Sequence, residues 1–130
     1  MSASQNNLSL VVNQQDSAGV NILNRTMGAF AYSGVVGQFI DGLLTTTGST
    51  SITLPKTTIL QVMVRNTHAT ANITVNWTPE SATGSIIAGK VGPSGVLGFW
   101  QTSTGQSGAI TALALTADTA NTTYELYLGG

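Results

Sequence analysis

The sequence predicts an all-β fold, a β-sandwich or barrel, built as one domain over residues 8–130. Apolar and polar residues alternate with a period of two in many short segments, as in strands that bury one face. Clusters of Gly and polar residues separate these segments, for example TTTGSTS, PESATGS and TSTGQSG. No internal repeat or Pro-rich linker marks a second domain, and 130 residues suffice for one core.

The chain opens with polar residues that give way to strands. Residues 1–7, MSASQNN, are polar enough to predict a flexible N-terminal arm. Strands are then predicted for residues 8–13 and 20–24 and, after a longer interval, for residues 51–54.

The segment GVVGQFIDGLL, residues 34–44, is the exception to the alternating pattern. Val35, Phe39 and Leu43 recur at helical spacing, and a second apolar residue stands beside each of them. Internal glycines weaken a helix by up to about 1 kcal/mol each relative to Ala. We therefore expect either one short helix or an irregular buried segment here.

The stretch LQVMVRNTHATANITVNW holds the chain's only histidine, His68, between two alternating runs at residues 59–66 and 73–77. We interpret the runs as an antiparallel hairpin with His68 at the tip of its connection. A turn residue is the favoured interpretation, because Asn, Thr and His are ordinary residues there. A contact site is the alternative, because loop tips are exposed, whereas a lone His does not form a metal site.

The later strands carry half of the aromatic residues. These strands are predicted at residues 85–91, 96–101, 110–116 and 123–128. Neighbouring strand residues point to opposite faces, so Phe99 and Trp100 differ in orientation, and Tyr124 and Tyr127 are likewise of opposite parity. We expect Trp77, Phe99 and Tyr124 in the core. Trp100 and Tyr127 then cover a rim or a subunit contact, with an exposed sugar-binding face as the alternative.

Composition limits the classes of partner. Charged residues make up 7% of the chain, formal net charge is -1, and there are 4 Lys and Arg in all. Nucleic-acid binding needs clustered phosphate contacts, so we expect no nucleic-acid partner. We also expect no membrane partner and no secretory route, because no run approaches about 18 apolar residues and no signal-peptide pattern opens the chain. A nearly neutral chain is prone to associate, which favours an assembly.

The candidate catalytic residues are few and scattered. The acidic residues are far apart in the sequence: Asp16, Asp41, Glu80, Asp118 and Glu125. Cysteine is absent, and no phosphate-binding loop, dinucleotide fingerprint, zinc spacing or calcium loop occurs. We therefore expect no cofactor, no metal and no enzymatic activity. A small hydrolase with His68 as its base is the remaining alternative.

The segments LPKTTILQVMVRNTHATANITVNWTP and GAITALALTADTANTTYELYLGG resemble the small all-β structural proteins of tailed bacteriophage particles. The likeness is to head decoration or cement proteins and short fibre domains, with their Thr/Ala/Gly-rich strands, few charges and no cysteine. It implies an antiparallel, jelly-roll-like β-sandwich that forms a homodimer or homotrimer. Such a protein is made in the bacterial host cytoplasm and bridges major capsid proteins on the outer surface of the virion head.

The resemblance leaves two functions open. The first is a non-enzymatic virion protein that decorates or cements the capsid shell through protein–protein contacts. The second is a fibre or tail-tip domain that binds a host-surface glycan, for which Trp100, Tyr127 and His68 are the candidate contacts. No family motif specifies contact residues, so none is transferred from the resemblance.

Overall fold

The computed structural model of this chain describes residues 4–34, 36–80, 86–100 and 109–130. These residues form ten strands and no helix, which confirms the predicted all-β fold. The strands are β1 Ser4–Gln15, β2 Asn21–Gly34, β3 Gly37–Leu44, β4 Thr50–Ile52, β5 Gln61–Asn66, β6 Ile73–Pro79, β7 Ile87–Val91, β8 Val96–Trp100, β9 Ile110–Ala117 and β10 Thr122–Gly129. The chain divides into two compact units, Met1–Gly34 and Val35–Gly130, whereas the sequence prediction divides it at residue 8.

The first unit is an antiparallel hairpin in which β1 pairs with β2 from Ser4 to Gln15. Asp16 builds its turn, because the carboxylate Oδ1 accepts hydrogen bonds from the backbone N–H groups of Ala18 and Val20, each at 2.9 Å. Gly19 follows with φ at 81°, a left-handed conformation that glycine adopts without a steric cost. A short turn closed by a left-handed residue is a common hairpin connection.

The hairpin side chains whose burial is described, those of residues 7–26, lie almost entirely in solvent. Within residues 7–26 every side chain is exposed except that of Leu8, which is half-buried. Several of them are large and apolar, with Val11 62% and Ile22 63% exposed. A two-stranded ribbon is only marginally stable on its own in water. The hairpin therefore presents apolar surface without burying any of these side chains in a core.

The second unit consists of two four-stranded antiparallel sheets. Sheet I has the strand order β3-β10-β5-β8, and sheet II has the order β4-β9-β6-β7. The pairing is nested, with β3 beside β10, β4 beside β9, β5 beside β8 and β6 beside β7. A long antiparallel ribbon folded over in this way gives the eight-stranded jelly roll, which agrees with the predicted sandwich.

The core lies between the inner faces of the two sheets and draws on alternate residues of each strand. Leu126 and Leu128 of β10 and Leu115 of β9 are fully buried. Burial of a Leu side chain contributes roughly 1.5–3 kcal/mol. Tyr124 belongs to the same cluster, and Trp77 and Phe99 pack against it, which confirms their predicted place in the core.

The helix predicted within residues 34–44 is wrong, because Gly37–Leu44 is strand β3, paired with β10. Ile40 packs against the core from the inner face of this strand, while Phe39 on its outer face is 63% exposed. Apolar residues on both faces of a strand imitate helical spacing, which explains the error. At Gly42 the ring of Tyr124 occupies the space that a Cβ would need, so this glycine serves close packing.

The predicted hairpin of residues 59–66 and 73–77 is also wrong. Both runs are strands, but β5 pairs with β10 and β8 in sheet I, whereas β6 pairs with β7 and β9 in sheet II. The connection between them crosses from one sheet to the other. Period-two alternation identifies a strand with one buried face, but it does not identify the strand's neighbour.

Buried Asn66 anchors this crossover. Its side-chain amide donates to the backbone carbonyls of Ala71 at 2.7 Å and Val91 at 3.2 Å. Its Oδ1 accepts from the backbone N–H of His68 at 3.0 Å. Each of these bonds satisfies a backbone group that the sheets leave unpaired, so Asn66 ties the connection to strand β7.

Candidate functional site

Outward-facing residues of sheet I include large apolar side chains that are exposed to solvent, such as those of Phe39, Leu43 and Val96. Tyr127 of β10 lies directly opposite Phe39 of β3 on one side and opposite Met63 of β5 on the other. Met63 in turn lies opposite Gly98 of β8. These cross-strand neighbours place Phe39, Tyr127 and Met63 side by side, and we call them the apolar row.

Glycine at position 98 allows the apolar row to lie close to the sheet. A Cβ at this position would meet the sulfur of Met63 and the backbone carbonyl of Val62. The space above Gly98 is therefore filled by the Met63 side chain, which is half-buried as a result. A flexible thioether of this kind adapts readily to a partner surface.

Two further apolar residues extend the surface along the edge strands of sheet I. Leu43 on β3 is 52% exposed and Val96 on β8 is 56% exposed. Together with Phe39, they leave large apolar side chains in solvent on both edges of one face. Leu43 is separated from Phe39 by Asp41 along β3, and Val96 lies opposite Arg65, so these exposed apolar side chains flank charged residues of the same face.

A row of charged residues borders the apolar row. Glu125 of β10 lies opposite Asp41 of β3 and opposite Arg65 of β5. Arg65 Nη1 is 3.2 Å from Glu125 Oε2, and both side chains are partly exposed. Like charges directly opposite are unfavourable, so Arg65 offsets the repulsion between two acids that are 84 residues apart in sequence.

The hydroxyl of Tyr127 lies beside the backbone at Gly129 and near the buried side chain of Gln61. Partial burial raises the pKa of this phenol above its ordinary value of 10.0. Tyr127 thus offers an apolar ring with a polar tip, which is the combination that favours aromatic residues at interfaces.

Two of the three predicted contact residues, Tyr127 and His68, lie at different places in the sandwich. Tyr127 lies near the middle of sheet I, whereas His68 follows the end of β5 at Asn66. His68 Nδ1 accepts from the backbone N–H groups of Thr70 at 3.2 Å and Ala71 at 3.0 Å, so this ring nitrogen shapes the connection. The backbone of Trp100 pairs with Gln61, but its side chain lies outside the described residues.

Sequence reasoning missed Phe39 and Met63. Because residues 34–44 were predicted as a helix, Phe39, Asp41 and Leu43 were not recognised as residues on one face of a strand. An analysis with a period of two would have placed them there. Met63 shares a face with Arg65 in the sequence pattern, opposite to the buried valines of β5. Its position beside Tyr127 depends on a pairing between strands that are more than fifty residues apart in sequence, and no local pattern encodes that.

The outer face of sheet II is different in character. A shallow groove of about 610 Å³ lies there, bordered by the segment that follows β4. Ser51, Asn76, Thr78, Ala112 and Ala114 line it, and no described lining residue is aromatic. The groove also includes aliphatic residues, among them Ile52, Leu54 and exposed Ile86, but it lacks the flat rings that favour sugar binding.

Two other features bear on chemistry within the described ranges. No group of three or more His, Cys, Asp or Glu residues is placed to hold a metal ion there. No helix that is long and apolar enough to cross a membrane occurs in that part of the chain. Carboxylates come together only on exposed surface, as at Asp41 and Glu125, and not in an enclosed cleft.

Neither family models, nor curated proteins, nor solved structures give a match to this chain.

Proposed function

We propose that this protein is a non-enzymatic structural protein of a tailed-phage virion that decorates or cements the outside of the capsid shell through protein–protein contacts. The observation that carries the proposal is the outer face of sheet I, which presents the apolar row together with exposed Leu43 and Val96 on its two edge strands. Aromatic residues and Met are enriched at protein interfaces.

The fold is compatible with this role. Eight-stranded jelly rolls recur in viral capsid proteins, lectin domains and cupins. A fold does not decide function on its own. The proposal therefore rests on the outer face of sheet I, and the jelly-roll fold is compatible with it. The proposed partners are the major capsid protein and further copies of this chain, on the outer surface of the head, with no cofactor and no nucleic acid.

The face of sheet I alone is smaller than the area that a stable protein interface buries, so a second contact surface is needed. Strands of 8, 8, 6 and 5 residues, about 4.8 Å apart and with a rise of about 3.3 Å per residue, give sheet I a face of roughly 430 Å². Stable interfaces bury about 800 Å² on each partner. The hairpin β1–β2, with exposed residues such as Val11, Val20 and Ile22, supplies further apolar area. We propose that it is also covered in the particle.

One observation favours a second candidate function, a fibre or tail-tip domain that binds a host-surface glycan. Phe39 and Tyr127 lie side by side on an open sheet face, and flat rings next to charged groups are suited to a sugar. Tyr127→Ala should then abolish binding of the purified protein to host cell walls. Absence of wild-type binding to cell walls would remove this candidate.

The proposal is tested by counting copies in purified particles with quantitative mass spectrometry. We expect hundreds of copies per particle, in simple ratio to the major capsid protein. A few tens of copies would indicate a vertex or tail component, and absence from particles would overturn the proposal.

A rebinding experiment tests the face itself. Particles that lack the protein are mixed with purified wild-type or variant chain, and bound copies are counted. We expect Phe39→Ser to lower binding at least tenfold, because it removes the most exposed ring of the apolar row. Ile86→Ser is the matched control, since Ile86 is 70% exposed but lies at the groove of sheet II. Equal binding by both variants would exclude sheet I as the docking face.

A further inference from the structure

An apolar cavity of about 190 Å³ lies inside the sandwich, between the inner faces of the two sheets. Strands β5 and β8 of sheet I and strands β6 and β9 of sheet II contribute its walls. Every described residue that lines it is apolar or glycine. The cavity is separate from the apolar row, which lies on the opposite, outer face of sheet I.

The closed side of the cavity is formed by aliphatic core residues. Val62 and Val75 are each 2% exposed, Val64 is fully buried, and Leu113 is 3% exposed. Protein interiors are normally packed with few voids larger than a water molecule. A space of this size among such well-buried residues is therefore an uncommon departure from close packing.

The other side of the cavity carries two aromatic rings. Trp77 of β6 and Phe99 of β8 lie with ring centroids 6.0 Å apart at an interplanar angle of 44°. Both side chains point inward, yet they are only half-buried, as is Leu97 between the same sheets. The partial exposure of these three inward-facing residues places the access to the cavity on their side.

Water is a poor occupant of this space. A buried water molecule needs two to four polar partners, and the lining offers aliphatic and aromatic surface. An engineered apolar cavity of about 150 Å³ stays dry and binds benzene or xenon. A charged ligand is excluded, because the free-energy cost of burying an unpaired charge is far larger than the gain from apolar contacts in the cavity.

We propose that this cavity is a binding site for one small uncharged apolar molecule, about the size of a single aromatic ring with a short alkyl substituent. The rings of Trp77 and Phe99 contact its flat face, and Val62, Val64 and Val75 enclose its far side. The proposal does not depend on the protein's role in a particle.

The test uses the purified full-length chain with toluene as probe and benzoate as its charged counterpart. We expect toluene to raise the midpoint of thermal unfolding and to shift the methyl NMR signals of Val62, Val64 and Val75. Methyl signals of the exposed hairpin residues Val11 and Val12 should not move. Benzoate should produce neither effect. An equal response to benzoate, or no response to toluene at saturation, would overturn the proposal.

Two matched variants locate the response. Val75→Phe fills the cavity, so it should keep or raise the unfolding midpoint and lose the toluene response. Val91→Phe makes the same change at a residue that is also 2% exposed but does not line the cavity. It should lower the midpoint through overpacking and retain the toluene response. Retention of the response in Val75→Phe would contradict the proposed site, and the methyl shifts of the wild type decide the question if that variant fails to fold.

Discussion

The hairpin Met1–Gly34 and the sandwich Val35–Gly130 are both antiparallel β-structure, but they differ in what holds their strands together. The sandwich buries one face of each sheet, so that residues such as Leu115 and Leu126 are fully enclosed. The hairpin has a long ladder of backbone pairs, interrupted by register shifts after Ser9 and Gln14, while its described side chains remain in solvent. Backbone pairing and turn chemistry are thus enough to define a ribbon, whereas stability requires a second layer.

The largest effect that separates the two units should come from removing a core side chain. Leu115→Ala should lower the free energy of unfolding by about 2–5 kcal/mol, because it leaves a cavity among fully buried neighbours. Ile22→Ala on the hairpin should change it by less than about 0.5 kcal/mol, since Ile22 is 63% exposed. Urea unfolding followed by tryptophan fluorescence measures both. A comparable loss for Ile22→Ala would show that the hairpin side chains pack in a core.

The next effect concerns the crossover between the sheets. Asn66→Ala should cost about 1–3 kcal/mol, because the carbonyls of Ala71 and Val91 would lose their donor in a buried place. His68→Ala is the control, and it should cost less than Asn66→Ala, since only one of the two N–H groups that its ring accepts from, that of Ala71, is buried, while that of Thr70 can be reached by water. Urea midpoints of the two variants give the comparison. Equal costs would contradict the anchoring role of Asn66.

A smaller effect should be confined to the hairpin. Gly19→Ala places a side chain in the left-handed region and should cost about 1–2 kcal/mol locally. Amide hydrogen exchange should then speed up at Asp16 and Gly19, whose N–H groups bond to Val20 and Asp16 carbonyls. The urea midpoint of the sandwich should not change. Gly19→Asn should show a weaker effect on hydrogen exchange, because Asn tolerates this conformation. A shift of the urea midpoint in Gly19→Ala would contradict the prediction that the effect is confined to the hairpin.

The smallest effect is a pH dependence at the β9–β10 turn. Asp118 accepts from the side-chain amide of Asn72 at 2.7 Å and from the Asn72 backbone N–H at 3.0 Å. These bonds lower the pKa of Asp118 below its ordinary value of 3.8. Its contribution to stability is therefore present above pH 3.8 and is lost as pH falls through the lowered pKa.

Asp118→Asn tests this contribution. The difference in unfolding free energy between the wild type and this variant should be small, because the carboxylate is exposed, and it should vanish in acid. A difference that grows as pH falls would contradict the assignment. Asp16→Asn provides a comparison at an exposed turn of the hairpin.

Sequence patterns predicted nearly every strand, because inward and outward residues differ in polarity along most of them. The exception is β3, where Phe39 and Leu43 face solvent while Ile40 and Leu44 face the core. The pattern failed where an outer face is apolar, and that face is the candidate site. Departures from local consistency are often found at functional surfaces.

Pairing between strands could not be predicted in the same way. The sequence separates Asp41 from Glu125 and Met63 from Tyr127, and the register that joins them is set by packing across the whole sandwich. Tyr127 was identified as an outward residue from its parity relative to Tyr124. Its neighbours Phe39 and Met63 could be known only from the folded chain.

The position of β10 also has a consequence for the timing of assembly. Strand β10 follows all other strands in the chain, yet it lies between β3 and β5 in sheet I. Val36 and Gly130 exchange backbone hydrogen bonds of 3.0 Å in each direction. While the chain is being synthesised, β3 and β5 therefore lack β10, the strand that both of them pair with. Pairing of β10 with β3 and β5 joins distant parts of the sequence, and non-local pairing of this kind forms slowly. Only chains that already contain β10 can complete sheet I, so the outer face with Phe39, Tyr127 and Met63 side by side forms last.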